Sequence, residues 1–173
     1  MSTLFYIDGY NVLHMSRSLR HLIYADNETA REGLIDKVAH MCSTTRNKAV
    51  IVFDGQGRNL PETVEHYRGV PSLEVRYAPH NSSADAVIER AVYRHANRLE
   101  VVVVSNDRGL RDLCAGMGAL VMGSDSFLDT CRESRTDTTQ VLTKSRNEQP
   151  ASFEDGLSEE AIAALKKLRD SLR

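Results

Sequence analysis

The chain has 173 residues, 41% of them apolar and 27% charged, with a formal net charge of −2 and a pI near 6.3. That is about one domain's worth of sequence with an ordinary globular composition, which excludes a wholly disordered chain. No apolar run approaches the ~18 residues of a membrane span, and the large positive excess of a nucleic-acid coat protein is missing, although a nucleic-acid enzyme remains compatible.

The opening segment, MSTLFYIDGYNV, has no basic stretch and meets Asp8 after a very short apolar run, so it does not read as a secretory signal. Residues 4–7 read as the first buried strand, being β-branched or aromatic and too short for a helix. A helix follows near Thr29, where Thr29 and Glu32 make a capping box, and runs through Leu34, Val38 and Met41 to a polar stop at 43–48. Residues 49–53 are a second strong strand and 73–77 a weaker one. After Ser82 or Ser83, a helix carries Ala84, Val87, Ile88, Ala91 and Val92 on one stripe. Residues 101–104 are the third strong strand. A short helix after Asn106 turns Leu110, Leu113 and Cys114 inward and ends at Gly116 or Gly118. A weak strand at 119–122 and a core helix at 124–133 complete the pattern. Five strands alternating with helices predict an α/β fold built on a mostly parallel sheet.

From residue 134 the composition turns to Thr, Ser, Gln, Asn and Arg. The expected organisation is a domain over 1–134, a polar linker over 135–156 and a C-terminal amphipathic helix over 157–173. Ser158 caps that helix, and Ala161, Leu165, Leu168 and Leu172 form a seam that docks on its own domain, on a second copy or on a partner protein. Cys42, Cys114 and Cys131 are odd in number without CxxC spacing, so neither a disulfide framework nor a zinc site is indicated, and a reduced cytoplasm is expected.

The chemistry lies in where the acids fall. Asp8 ends the first strand, Asp54 the second, and Asp107 comes just past the third. In an open parallel sheet those ends share one edge, where ligands bind at the switch in strand order. Asp85, in the first turn of a helix, projects over the same edge, with Glu89 one turn later. Such a group of carboxylates repels itself unless protons or a cation compensate, and oxygen donors without Cys or clustered His select Mg²⁺ or Mn²⁺. Each acid also has a plain structural alternative. Asp8 and Asp54 precede glycines and open turns, Asp107 caps its helix, Asp85 completes a capping box, and Glu89 pairs with Arg90 or Arg94.

The segments YIDGYNVL (6–13), VIVFDG (50–55), SSADAVIERAV (82–92) and VVVVSNDRGLRDLCAGMGALVMGSDSFL (101–128) together resemble a YacP-like NYN domain, a PIN-like ribonuclease fold, over roughly residues 3–130. The resemblance implies a three-layer fold and a metal-dependent endoribonuclease acting on single-stranded RNA. Carried over block by block, it makes Asp8, Asp85 and Asp107 the catalytic, metal-binding acids. Asn11 becomes a residue that orients a water or a phosphate oxygen, and Asp54 a weaker member. Asn106 stands where many such relatives carry Ser or Asp. Some family members act on messenger RNA inside ribosomes, which makes the ribosome a candidate partner.

Arginine outnumbers lysine, and Arg58, Arg90, Arg94, Arg108 and Arg111, close in sequence to the acidic blocks, are candidates for the RNA backbone. Residues 1–143 hold 16 basic and 18 acidic side chains, so neutralising Asp8, Asp54, Asp85, Glu89 and Asp107 leaves a positive rim. Tyr10, Tyr77 and Tyr93 are candidates for base stacking or for packing on the sheet. Gly55 and Gly57 complete neither a GxxxxGK[ST] nor a GxGxxG pattern, and His14 and His80 near these blocks have no ligand spacing. Two rivals stand beside the nuclease: a catalytically silent RNA- or ribosome-binding module, and a phosphohydrolase with Asp8 as nucleophile, which Tyr10 disfavours by standing where a second Asp is usual.

Overall fold

Six strands hydrogen bond in the order β3-β4-β2-β1-β5-β6 in the computed structural model, which describes residues 2–55, 63–66, 69–79 and 81–147, with the backbone alone at 63–66 and 136–147. They are β1 (Leu4–Asp8), β2 (Lys48–Phe53), β3 (Thr63–His66), β4 (Leu73–Tyr77), β5 (Val101–Val104) and β6 (Leu120–Met122). All neighbours run parallel except β3, which lies antiparallel on β4 at the edge. The five expected strands are all present. The sixth, β3, went unread because TVEH holds one strongly apolar residue, and an edge strand needs pairing on one side only.

Alternation along the strands sorts the core into two halves. Phe5, Ile7, Ile51, Phe53 and Val104 pack under α1 (Gly9–Met15), α3 (Asn27–Thr44) and the start of α6 (Ser124–Asn147), together with Phe127 and Cys131. Tyr6, Val50, Val52, Val101 and Val103 pack under α4 (Ala84–Arg94) and α5 (Arg108–Gly116). A sheet covered on both faces explains why β5 is buried throughout and reads as an unbroken valine run. These are the three layers that the resemblance implies, formed within one compact unit, Met1–Thr136.

Some local expectations change. Asp26 caps α3, accepting from the Thr29 N–H at 3.1 Å and the Thr29 hydroxyl at 2.7 Å, so Thr29 sits inside the first turn; Asp outranks Thr as a cap. Short α1 and α2 (Leu22–Ala25) precede it and carry too few residues for a periodic signal. Leu113, expected inside, is 47% exposed. Helix α6 continues past residue 134 to Asn147, into the segment expected as a linker, because no Gly or Pro interrupts it there. The expected C-terminal helix at 157–173 lies outside the described residues.

Candidate active site

β1 is central, with β2 on one side and β5 on the other, so the chain reverses its direction of travel across the sheet at β1. The crevice beyond the carboxyl ends of β1 and β5 is therefore the switch point. The chain passes from Asp8 straight into α1, and the Asp8 carboxylate caps that helix, accepting from the Asn11 N–H at 3.2 Å. Gly9 permits this turn, since a Cβ there would overlap the Phe53 ring.

A hydroxyl ties the two strand ends together. Ser105, fully buried after β5, donates to Asp8 Oδ2 at 3.1 Å and accepts from the Asp107 N–H at 3.0 Å. Asp107 in turn caps α5 through the Leu110 N–H at 2.9 Å. Asn11 Oδ1 accepts from both the Asn106 N–H at 2.8 Å and the Ser124 hydroxyl at 2.7 Å. Asn106 Oδ1 accepts from the Ser124 N–H at 2.9 Å. The ends of β1 and β5 and the start of α6 are thus stitched into one polar network. On the other side, Asp54 Oδ1 accepts from the Ala84 N–H at 2.7 Å, which seats the end of β2 on the first turn of α4. Gly55 lets this backbone approach the Ala78 carbonyl oxygen, which a Cβ would overlap.

Asp85 is half-buried and makes no hydrogen bond to a described residue. Burial pushes its carboxyl above the usual range, and the charges of Asp107, Asp54 and Glu89 push it further. Asp8 is raised to about 6, first by burial and then by Asp85 and Asp54, against the Asn11 and Ser105 hydrogen bonds, which favour its charged form. Glu89 also faces α5: after burial, its charge and that of Asp85 raise the Cys114 thiol to about 11. The five acids therefore share one field at this edge.

The basic candidates spread further. Arg90 is exposed and reaches the Ser82 hydroxyl at 3.2 Å, while Arg94 lies one turn on along α4. Arg108 is exposed at the start of α5, and Arg111 is half-buried, its Nε without a hydrogen-bond partner among the described residues. Arg58 and His80 lie outside the described residues. Tyr10 hydrogen bonds Asn27 and packs edge-on to Phe53, Tyr77 stacks on Phe53 beneath Arg31, and Tyr93 is 68% exposed with Arg98 over its ring. Sequence reasoning did not single out Ser105 or Ser124. Their signal was a serine at, or just past, a strand's carboxyl end on the same edge as the acids.

Among the described residues, no three His, Cys, Asp or Glu side chains close on one point as a ready-made cage. The donors at this edge are carboxylates, without cysteine or clustered histidine. That suits Mg²⁺, which keeps several waters and takes one or two carboxylates, better than a metal wanting four protein ligands.

The mostly parallel sheet flanked by helices on both faces is a PIN-like α/β fold. The model of the YacP-like NYN domain family matches residues 5–170, and the chain belongs to that family, whose function is RNA-related. It is 28% identical over 164 residues to the Bacillus subtilis (strain 168) protein described as uncharacterized protein YacP, covering 94% of each. The crystal structure of Rae1 (YacP) from Bacillus subtilis superposes with a TM-score of 0.70 at 28% identity, over 98% of this chain and 95% of that one. A mutant of the same protein gives 0.69 at 24% identity over 88% of each chain. No helix among the described residues is long and apolar enough to cross a membrane.

Proposed function

We propose that the chain is an endoribonuclease that hydrolyses phosphodiester bonds of single-stranded RNA with Mg²⁺ or Mn²⁺. The observation that carries this reading is the coupling of Asp8, Asp54, Asp85 and Asp107 across the switch point, with Asp85 free of hydrogen bonds to described residues. A bound divalent cation would supply the positive charge that activates water and stabilises the departing oxygen. Asp8, Asp85 and Asp107 would hold it. Asp54 and Glu89 add to the negative field, and Asn11 fixes the crevice wall. Arg90, Arg94, Arg108 and Arg111 are the backbone candidates within the described residues. The ribosome remains a candidate site of action, and the cytoplasm the expected compartment.

The test is cleavage of end-labelled single-stranded RNA in Mn²⁺, Mg²⁺ or EDTA by the wild type and by Asp85→Asn. Cutting that needs metal and is lost in the variant supports the nuclease; residual cutting by the variant removes Asp85 from the site. A second reading is favoured by the helix caps, because Asp8, Asp54 and Asp107 each accept from a backbone N–H and so have structural work without chemistry. On that reading the protein is a silent RNA- or ribosome-binding module, and RNA binds equally with or without chelator and stays intact.

A further inference from the structure

Helix α4 divides its charges. Asp85 and Glu89 face α5, while Arg90 and Arg94 border a cavity of about 260 Å³ on the opposite flank, closed by Tyr6 of β1, Arg76 of β4 and His95 just past the helix. The cavity exists because the helix layer on this face stops short of β4. No β4 residue joins the core beneath α4 and α5, and Glu74 and Arg76 stand there instead of apolar side chains.

Two features set this cavity apart from an ordinary solvated helix flank. Arg76 is paired with Glu74, but Arg94 has no ion pair among the described residues and Arg90 reaches only a serine hydroxyl. Tyr6 is 7% exposed, and its hydroxyl has no hydrogen-bond partner among the described residues. That hydroxyl is open to solvent on the cavity wall, where a ligand can reach it. Two guanidinium groups on the rim of one cavity, neither in an ion pair among the described residues, match an anion that accepts several hydrogen bonds at once. The volume lies below the ~300 Å³ at which small-molecule sites usually begin, which suits a phosphate with its water better than a whole cofactor.

We propose that the cavity bounded by Tyr6, Arg76, Arg90, Arg94 and His95 is a phosphate-binding site separate from the acidic crevice, taking a phosphate of the RNA strand. It rests on the nuclease reading only for what carries the phosphate; a free phosphate compound would use the same contacts.

The experiment is amide NMR of the full chain in EDTA, so that binding is read without cleavage, titrated with inorganic phosphate and then with a short single-stranded RNA. Phosphate is expected to shift the amides of Tyr6, Arg76 and residues 90–95 saturably. Arg94→Gln should weaken binding roughly tenfold, the loss of one charge-assisted contact, and Tyr6→Phe by less, with the other resonances keeping their folded dispersion. RNA that competes with phosphate for the same amides identifies the strand as the carrier; saturable phosphate binding untouched by RNA identifies a free phosphate compound. Unsaturated shifts, or equal shifts in Arg94→Gln, overturn the site and leave nonspecific surface binding, whatever the cleavage assay gives.

Discussion

The crevice at the switch point and the cavity beside α4 are both charged, yet they are finished to different degrees. In the crevice, Asp8, Asp54 and Asp107 are held by backbone amides, with a buried serine between two of them, so the geometry is fixed before any ligand arrives. In the cavity, Arg90 and Arg94 are long, flexible and largely unpaired. The difference teaches that the protein rigidifies where its acids are concentrated and leaves loose the side chains that, on the proposed reading, would follow a flexible polyanion. Preorganisation matters most where charge develops in a reaction.

The sharpest way to break this comparison is Asp85→Asn. Asp85 contributes charge but no hydrogen bond to a described residue, so cleavage should fall by roughly a hundredfold or more while the melting temperature stays level or rises. A clear loss of stability would instead make Asp85 part of the scaffold.

Asp8 yields the next largest effect, through pH. Its carboxyl rises from 3.8 to about 6 on folding. Between those values the folded chain holds a proton that the unfolded chain has released, so stability is greatest at the acidic end and falls by roughly 2 to 3 kcal/mol as pH climbs through about 6. Urea midpoints of wild type and Asp8→Asn across pH 4 to 8 check this, and the slope should shrink in the variant to what the raised Asp85 carboxyl still contributes. Added Mg²⁺ should raise the wild-type melting temperature far more at pH 8 than at pH 5, because the ion competes with that proton.

Smaller effects probe the network itself. Asn11→Ala leaves the buried Ser124 hydroxyl and the Asn106 N–H without their acceptor and should cost about 2 kcal/mol by denaturant titration. Ser105→Ala removes a donor from Asp8 and an acceptor from the Asp107 N–H, costing about 1 to 2 kcal/mol. It should also move the acidic limb of the cleavage rate to higher pH, since one of the bonds favouring ionised Asp8 is gone.

Much of this was legible in the sequence wherever one local rule decided the outcome. The valine run of β5 is too short for a helix and reads as a buried strand, and Ser82 or Ser83 before an amphipathic stripe reads as a helix start, with Ser83 the cap in the structure. The strand-end acids followed from those placements. Less legible was whatever depended on a partner far away in the chain. β3 exists by pairing with β4, and the exposure of Leu113 on α5 depends on what packs around that helix rather than on its spacing. The role of Ser124 depends on Asn11, 113 positions earlier, a separation that no periodicity encodes.

The orientation of the Asn11 amide is dictated from outside. A backbone N–H can only donate, so the atom facing Asn106 must be the carbonyl oxygen, and Ser124 donates to that same oxygen. The acceptor half of the side chain is spent on the scaffold. What remains for a ligand is an NH₂ group, which offers protons and no lone pair. Asn11 is therefore a poor cation ligand, and on the proposed reading its NH₂ would grip an unesterified oxygen of a phosphodiester.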